Sequence, residues 1–368
     1  MTEAVKKTKT LNYINVFRGL AILLIVAGHS MQFGEVGSLT QKITVEVFAG
    51  GTALFIFISG FLFQHLSGKY EFKNYMSKKW TNVILPYLWT AIPGIFFCFY
   101  FPTQYGYAFD GLNSALQIPM MLSVGRVHNT PAWFIPMIIL FFLSSWTLLK
   151  LEKNGWLYKI MPFMFLITIF FPRQDVDYNS TLGLVYSAKY FAYLKYVFMG
   201  YIHFFSMYVF GMFCSYYKDT VIDKFWNWRW ILIPLMLLIS ILNVYLGLNY
   251  GISNGTVSKI FLTVIVLAYL KHYDEWLISH ARLNKSLDII AKYSFGIFLI
   301  HWYVFFLYNL VLNLPNVMPI VSNVWITLGL VFVRFLVVSL MSLFVLWLIK
   351  QIILKINLNA NTRSFIGV

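Results

Sequence analysis

Long apolar stretches alternate with short polar ones along the whole chain. Stretches long enough to cross a bilayer lie at 14–33, 45–66, 83–101, 133–150, 156–172, 196–216, 230–249, 257–272, 293–312 and 323–349. The fifth of them carries the weakest signal because it is short. This pattern predicts an all-α integral membrane protein with about ten transmembrane helices.

The composition supports that prediction. The chain is 60% hydrophobic and 11% charged, with a mean hydropathy of +0.71, whereas soluble domains are about half apolar and a quarter charged. A soluble fold exposing so much apolar surface would aggregate. Aromatic residues reach 20%, which is typical of lipid-facing helices with aromatic belts at the membrane interfaces. Membrane lipids are therefore the expected surroundings.

The positive charge is unevenly distributed between the two predicted faces. A formal charge of +15 raises the possibility of nucleic acid, but the basic residues are scattered between apolar runs, so no nucleic-acid partner is predicted. With the N-terminus inside, 21 of the 28 lysines and arginines fall on the cytoplasmic side. Because cytoplasmic loops accumulate basic residues, both termini of this multi-pass protein should face the cytoplasm. The plasma membrane is its expected location. The outer side carries Lys42, Arg126, Arg173, Lys189, Lys195 and Lys259, and Arg334 lies inside the last helix.

No repeat or low-complexity tract interrupts the apolar pattern. The longest predicted outer loops, 102–132 and 173–195, are too short for an independent domain. Residues 1–368 are therefore expected to form a single polytopic membrane domain. Cys98 and Cys214 lie in apolar stretches and the histidines lack metal-ligand spacing. Neither a metal site nor a tightly bound cofactor is predicted.

The first predicted helix carries two ionisable residues. In YINVFRGLAILLIVAGHS, ten residues separate Arg18 from His29. Eleven steps of 1.5 Å place them roughly 16 Å apart along the axis, one near the cytoplasmic face and the other toward the outer half. Ionisable residues at such depths are costly and usually face a polar cavity or a partner, which favours a functional role over a purely structural one.

Two further ionisable residues lie deep in predicted helices. His301 is in the ninth helix and Arg334 is near the middle of the tenth. Both should face the bundle interior, either lining a cavity or pairing between helices. His203 and His128 give weaker signals, because a lone histidine in such a position is usually just hydrogen-bonded.

Five motifs, in order along the chain, resemble those of the membrane-bound acyltransferase-3 family, whose members O-acylate surface glycans and related acceptors. The family pattern is a basic residue, ten residues and a histidine in the first helix, followed by a Ser-Gly-Phe helix, a basic loop before a Pro-aromatic helix start, a Trp-Phe helix start and a Ser-x-Gly-x-x-x-x-His helix. The matching segments are RGLAILLIVAGH (18–29), GTALFIFISGFLF (51–63), KKWTNVILPYL (78–88), PAWFIPMIILFF (131–142) and YSFGIFLIHWYVF (293–305). Many members carry an acidic residue where Ala53 stands and a second Arg or Lys near Asn82, so any role of those charges is absent or moved here.

The resemblance implies an acyl-CoA-dependent O-acyltransferase, with acetyl favoured, that modifies a cell-surface polysaccharide, glycolipid or lipid-linked precursor. It implies that His29 is catalytic, and the chemistry agrees. A base of near-neutral pKa suits removal of a hydroxyl proton, although His29 could instead carry the acyl group.

Acyl-CoA is made in the cytoplasm and carries phosphates, so its site should be cationic and cytoplasmic. Arg18, Lys78 and Lys79 are placed for it, although orientation alone also explains the two lysines. Further cavity candidates are Ser59, Trp133, His301 and Arg334. The alternative function is a transporter or flippase of glycans or lipid-linked sugars, which should show inverted repeats and broken helices; the sequence shows no such symmetry.

The charge bias predicts the topology, which cysteine labelling can check. In a background lacking Cys98 and Cys214, a membrane-impermeant thiol reagent added from outside should label Ser38→Cys or Asn179→Cys. It should not label Ser77→Cys, which belongs to the predicted cytoplasmic loop. Outside labelling of Ser77→Cys would contradict the orientation.

Overall fold

The computed structural model describes residues 11–100, 109, 112–127, 131–173 and 184–368, and it confirms an all-α membrane protein. Nine spans in these residues are long and apolar enough to cross a membrane. Lys6, Lys7, Lys9, His128 and Asn179 lie outside the described residues. The helices are α1 (Asn12–Ser30), α2 (Leu39–Phe48), α3 (Gly51–His65), α4 (Phe72–Lys79), α5 (Leu85–Tyr100), α6 (Ser114–Val124), α7 (Phe134–Lys153), α8 (Met161–Phe170), α9 (Tyr186–Tyr216), α10 (Lys218–Asn227), α11 (Arg229–Asn249), α12 (Gly255–His272), α13 (Asp274–Ser279), α14 (Ala281–Leu312), α15 (Val324–Ile356) and α16 (Arg363–Ile366).

The second predicted stretch, 45–66, is divided between two helices. The break falls between α2 and α3, where Gly50 has a φ of 95°. That left-handed conformation is easy only for glycine and ends the helical path. The third span is continuous but irregular, because a π-helical turn, Trp80–Ile84, joins α4 to α5.

The fifth predicted stretch, 156–172, is helical only over α8. Ten residues rise about 15 Å, half of a hydrocarbon core about 30 Å thick. Nevertheless, the two ends of this segment lie at opposite ends of the bundle. Tyr158 packs on Tyr217, which follows α9, with ring centroids 6.1 Å apart, and the Arg173 guanidinium lies 3.5 Å from the ring of Trp133, which precedes α7. The segment therefore provides a tenth, shorter pass.

The start of α1 and the last residues of the chain lie at the same end of the bundle. Asn12 Nδ2 donates to Asp274 Oδ1 at 3.0 Å, and Arg363 lies close enough to Arg18 for the two charges to interact. We call this the Arg18 end, and the opposite end, where α1 finishes, the His29 end. An even number of passes requires this arrangement, whereas the assignment of the Arg18 end to the cytoplasm stays a prediction.

The tightest helix crossing in the middle of the bundle uses the Ser-Gly-Phe motif. A Cβ added at Gly60 would lie 2.0 Å from the carbonyl oxygen of Tyr208, and one added at Gly211 would lie 2.1 Å from that of Phe57. Within a bilayer, helix association depends on such close packing of small residues. Gly60 and Gly211 therefore hold α3 directly against α9.

Replacing Gly60 with alanine should destabilise the bundle. The methyl group would force α3 and α9 apart, and overpacking of this kind costs about 1–3 kcal/mol. We expect a lower thermal unfolding temperature in detergent, measured by fluorescence-detected size-exclusion chromatography. Gly329→Ala is the matched control, because its Cβ would meet nothing within 4 Å; equal stability of the two variants would contradict the packing.

Candidate functional site

The first helix packs along α14 over most of its length. At the Arg18 end, Gly19 allows this approach, because a Cβ there would lie 3.1 Å from the carbonyl oxygen of Leu287 and 3.5 Å from the nitrogen of Ala291. At the His29 end, the contact is between side chains. Since both helices run in the same direction, α14 follows α1 from one end of the bundle to the other.

Arg18 and His29 project from one face of α1. The helix is unbroken from Asn12 to Ser30, so eleven residues correspond to slightly more than three turns of 3.6 residues. Arg18 is half-buried, and its Nε atom is buried without a hydrogen-bond partner among the described residues. The spacing of the motif therefore places a cation and an imidazole on one side of a helix, separated by much of the membrane depth.

His29 lies against two side chains of α14. Its ring centroid is 5.4 Å from that of His301 and 5.0 Å from that of Trp302, the second contact being edge-to-face. The His29 side chain keeps some accessible surface. Within the described part of the chain, its imidazole forms no hydrogen bond, so both ring nitrogens are available to a substrate.

His301 is fully buried and held in one orientation. Its Nδ1 lies 2.9 Å from the carbonyl oxygens of both Ile297 and Phe298. A carbonyl can only accept, so Nδ1 carries the proton and donates it. Nε2 is then an acceptor in the neutral ring, and it has no partner among the described residues. The structure thus brings two predicted site residues, His29 and His301, together.

Arg334 fixes the end of the helix that carries His29. The guanidinium is fully buried and donates through Nε to the Ser30 carbonyl at 2.7 Å, through Nη2 to Gln32 at 3.2 Å and through Nη1 to Pro315 at 3.0 Å. A cation at a helix C-terminus is also favoured by the helix dipole. Arg334 therefore positions the last turn of α1.

The two adjacent lysines of the predicted donor site have different surroundings. Lys78 is exposed. The Lys79 ammonium lies 5.0 Å from the ring centroid of Tyr75 and 4.6 Å from that of Phe142, where its charge interacts with the ring faces. Only Lys79 is therefore directed into the protein, just before the π-helical turn.

A polar cavity of about 500 Å³ opens at the His29 end between α2, α3, α9, α11 and α12. One wall is a buried cluster around Glu46, which accepts from Asn243 and Ser258 at 2.5 Å each and lies 3.8 Å from the Lys259 ammonium. Ala53 borders the same cavity. The cavity that Ala53 borders therefore contains a carboxylate, which comes from α2.

The structure also defines the contacts of three other candidate site residues from the sequence. His203 lines the cavity with both nitrogens occupied, Nδ1 by the Phe171 carbonyl at 3.0 Å and Nε2 by the Thr256 hydroxyl at 2.9 Å. Trp133 packs behind the cavity wall, where the Arg173 guanidinium covers its ring. The Ser59 hydroxyl donates to the Phe55 carbonyl of its own helix at 2.8 Å and does not contact the histidine pair.

Comparison with protein families places these residues in a known context. The sequence model described as the acyltransferase domain of the acyltransferase-3 family matches residues 11–349. The chain belongs to the acyltransferase-3 family. This acyltransferase therefore carries, in one matched domain, both the Arg18–His29 helix and the helix of His301. Comparisons with curated proteins and with solved structures give no match.

Sequence reasoning missed the polar cluster of this acyltransferase. Glu46 and Lys259 both lie inside predicted apolar stretches, and a charge at that depth is itself a signal of a partner or a cavity. Counting Lys259 with the basic residues of the outer side obscured that signal. Asn243 and Ser258 are uncharged and could not have been distinguished from other polar residues of membrane helices.

Substituting Arg334 should loosen the end of α1. Arg334→Met removes three hydrogen bonds from a charged donor, each worth about 1.5–3 kcal/mol, and leaves the carbonyls of Ser30, Gln32 and Pro315 unpaired. We expect faster amide hydrogen exchange in residues 27–32, measured by mass spectrometry, and lower thermal stability. Arg334→Lys, which keeps the charge and part of the bonding, should lie between the variant and the wild type. Unchanged exchange in Arg334→Met would show that the contacts do not hold the helix.

Proposed function

We propose that this acyltransferase uses acyl-CoA as its donor and transfers the acyl group, with acetyl favoured, to a hydroxyl of a cell-surface polysaccharide, glycolipid or lipid-linked precursor. The observation that carries the proposal is the placement of Arg18 and His29 on one face of α1, with His29 against His301. A phosphate-binding cation at one end and a hydrogen-bonding imidazole at the other match the two ends of an extended thioester donor.

His29 is assigned as the general base. It accepts the proton of the acceptor hydroxyl as that oxygen attacks the thioester carbonyl, and the imidazolium then returns the proton to the departing CoA thiolate. A histidine suits both steps because it exchanges a proton near neutral pH. The unoccupied ring nitrogens support this role, because nothing in the described chain must be displaced before a substrate binds.

His301 is assigned as the residue that supports His29. Its Nδ1 proton is committed to backbone carbonyls, so the ring presents an acceptor nitrogen inside the protein. A neutral imidazole beside His29 stabilises a transient positive charge better than an apolar side chain does. The acyl-histidine route remains the alternative chemistry for His29, since its unprotonated ring nitrogen, which has no partner among the described residues, would serve as the nucleophile.

Donor and acceptor are assigned to opposite ends of the bundle. Arg18 and Lys79 supply positive charge at the Arg18 end, where the CoA phosphates are proposed to bind. The acceptor is proposed to enter through the polar cavity at the His29 end. Sugar hydroxyls both donate and accept hydrogen bonds, and the cavity offers Gln41 and Lys42 for this purpose, while Asn243 and Asn254 are bonded within its wall.

Replacing His29 should abolish most of the acyl transfer. His29→Ala should insert and fold, since removing a polar group favours the bilayer, while activity falls by roughly 100-fold or more, the usual loss of a general base. The measurement supplies radiolabelled acetyl-CoA to membranes at matched expression and counts label in the glycan fraction. His280→Ala is the control, because His280 is an exposed histidine in the connection before α14. Equal incorporation by wild type and His29→Ala would remove His29 from the mechanism.

The same experiment separates the alternatives. Label that stays on the protein when acceptor is withheld, and that His29→Ala does not retain, indicates an acyl-histidine. Glycan that crosses the membrane without any labelled product, with the correct acceptor supplied, would favour the transporter instead.

A further inference from the structure

The last residues of the chain fold back onto the bundle at the Arg18 end. After α15 ends at Ile356, a short connection leads to α16 (Arg363–Ile366), and the Thr362 hydroxyl donates to the Val368 carbonyl at 2.5 Å. Ile366 is buried. This segment lies outside the region matched to the acyltransferase family, which ends at residue 349.

The segment is packed tightly against α5 and α14. The rings of Phe365 and Trp89 lie 5.9 Å apart, and a Cβ added at Gly296 would lie 2.6 Å from Val368 Cγ2 and 2.8 Å from the Ile366 carbonyl oxygen. It also contacts the π-helical turn that follows Lys79. These contacts fix the backbone of Arg363 beside the predicted donor site.

Arg363 adds a third positive charge to that place. Its side chain is exposed, and its charge acts on both Arg18 and Lys79. Asp288 also acts on Arg18, but it is paired with Lys292 at 2.6 Å. Cations brought together in this way repel one another unless an anion lies among them. The buried Nε of Arg18 has no partner among the described residues, so hydrogen-bonding capacity is available there.

We propose that Arg363 is part of the donor site and contacts the phosphates of a CoA-type nucleotide together with Arg18 and Lys79. The inference rests on the proposed acyl-CoA donor and adds a residue of the C-terminal segment to it. Two guanidinium groups and one ammonium suit a diphosphate, because arginine binds phosphate oxygens in a bidentate manner. In this arrangement, binding the donor also tightens the attachment of the C-terminal segment.

The test measures CoA binding to the full-length protein in phosphatidylcholine nanodiscs. Arg363→Ala should raise the Kd for CoA by about 5- to 10-fold and lower its dependence on salt, since a charged contact to phosphate is lost. Pantetheine, which lacks the phosphates, should bind the variant and the wild type equally. Arg363→Lys should show a smaller loss, Arg18→Ala a larger one, and Lys355→Ala, an exposed lysine on α15, no change.

Each other outcome overturns the inference in a distinguishable way. If the wild type binds CoA and Arg363→Ala binds it equally well, Arg363 is excluded while the proposed donor stands. If CoA binds more tightly to Arg363→Ala, the segment competes with the donor. If the wild type binds no CoA, both the role of Arg363 and the proposed acyl-CoA donor are wrong. If phosphatidylglycerol in the nanodisc displaces CoA in the wild type but not in Arg363→Ala, the residue binds a lipid phosphate instead.

Discussion

The bilayer core contains no water, so each polar side chain within this bundle must find its partner in the protein. Most of the deep polar groups do so: Arg334 binds three carbonyls, Glu46 gathers two donors and an ammonium, and both nitrogens of His203 are bonded. Among the described residues, a few buried atoms have no hydrogen-bond partner, and those of Arg18 and His301 lie on the α1–α14 pair. An unsatisfied buried group calls for a reason, and a site waiting for substrate is such a reason.

The rigidity of this helix pair comes from elements outside it. Arg334 on α15 holds the end of α1, and Gly19 lets α14 approach at the other end. His29 has no hydrogen-bond partner in the part of the chain that the structure describes, so there its position depends on the helix backbone and on the rings of His301 and Trp302. Precise placement by a scaffold is what proximity catalysis requires.

Hydropathy predicted where helices cross lipid better than where they begin and end. The ninth predicted stretch starts at 293, whereas α14 starts at Ala281, and the sixth starts at 196, whereas α9 starts at Tyr186. These additional turns lie outside the lipid, where the residues of a helix need not be apolar. They therefore carry charged residues, which hydropathy does not count as part of a span. The fifth stretch gave the weakest signal because it is short, and only ten of its residues are helical, in α8.

Residues of the candidate site could be predicted where burying a charged group costs free energy. Arg18, His29, His301 and Arg334 were found from charge in an apolar context, and the structure brings three of them together around the end of α1. The proposed contribution of Arg363 could not be read from the chain, because a basic residue in a terminal segment is ordinary until the fold places it near Arg18.

The brevity of α8 leaves the carbonyl groups of its last turn without helical partners. Asn254 Nδ2 donates to the carbonyls of Thr168 and Ile169, and His203 Nδ1 donates to that of Phe171. Non-helical backbone is tolerated in a membrane protein where protein or a water-filled cavity satisfies it, and the polar cavity has His203 and Arg173 on its walls. The two side chains therefore let the chain leave the helix inside the bundle without exposing unpaired backbone groups to lipid.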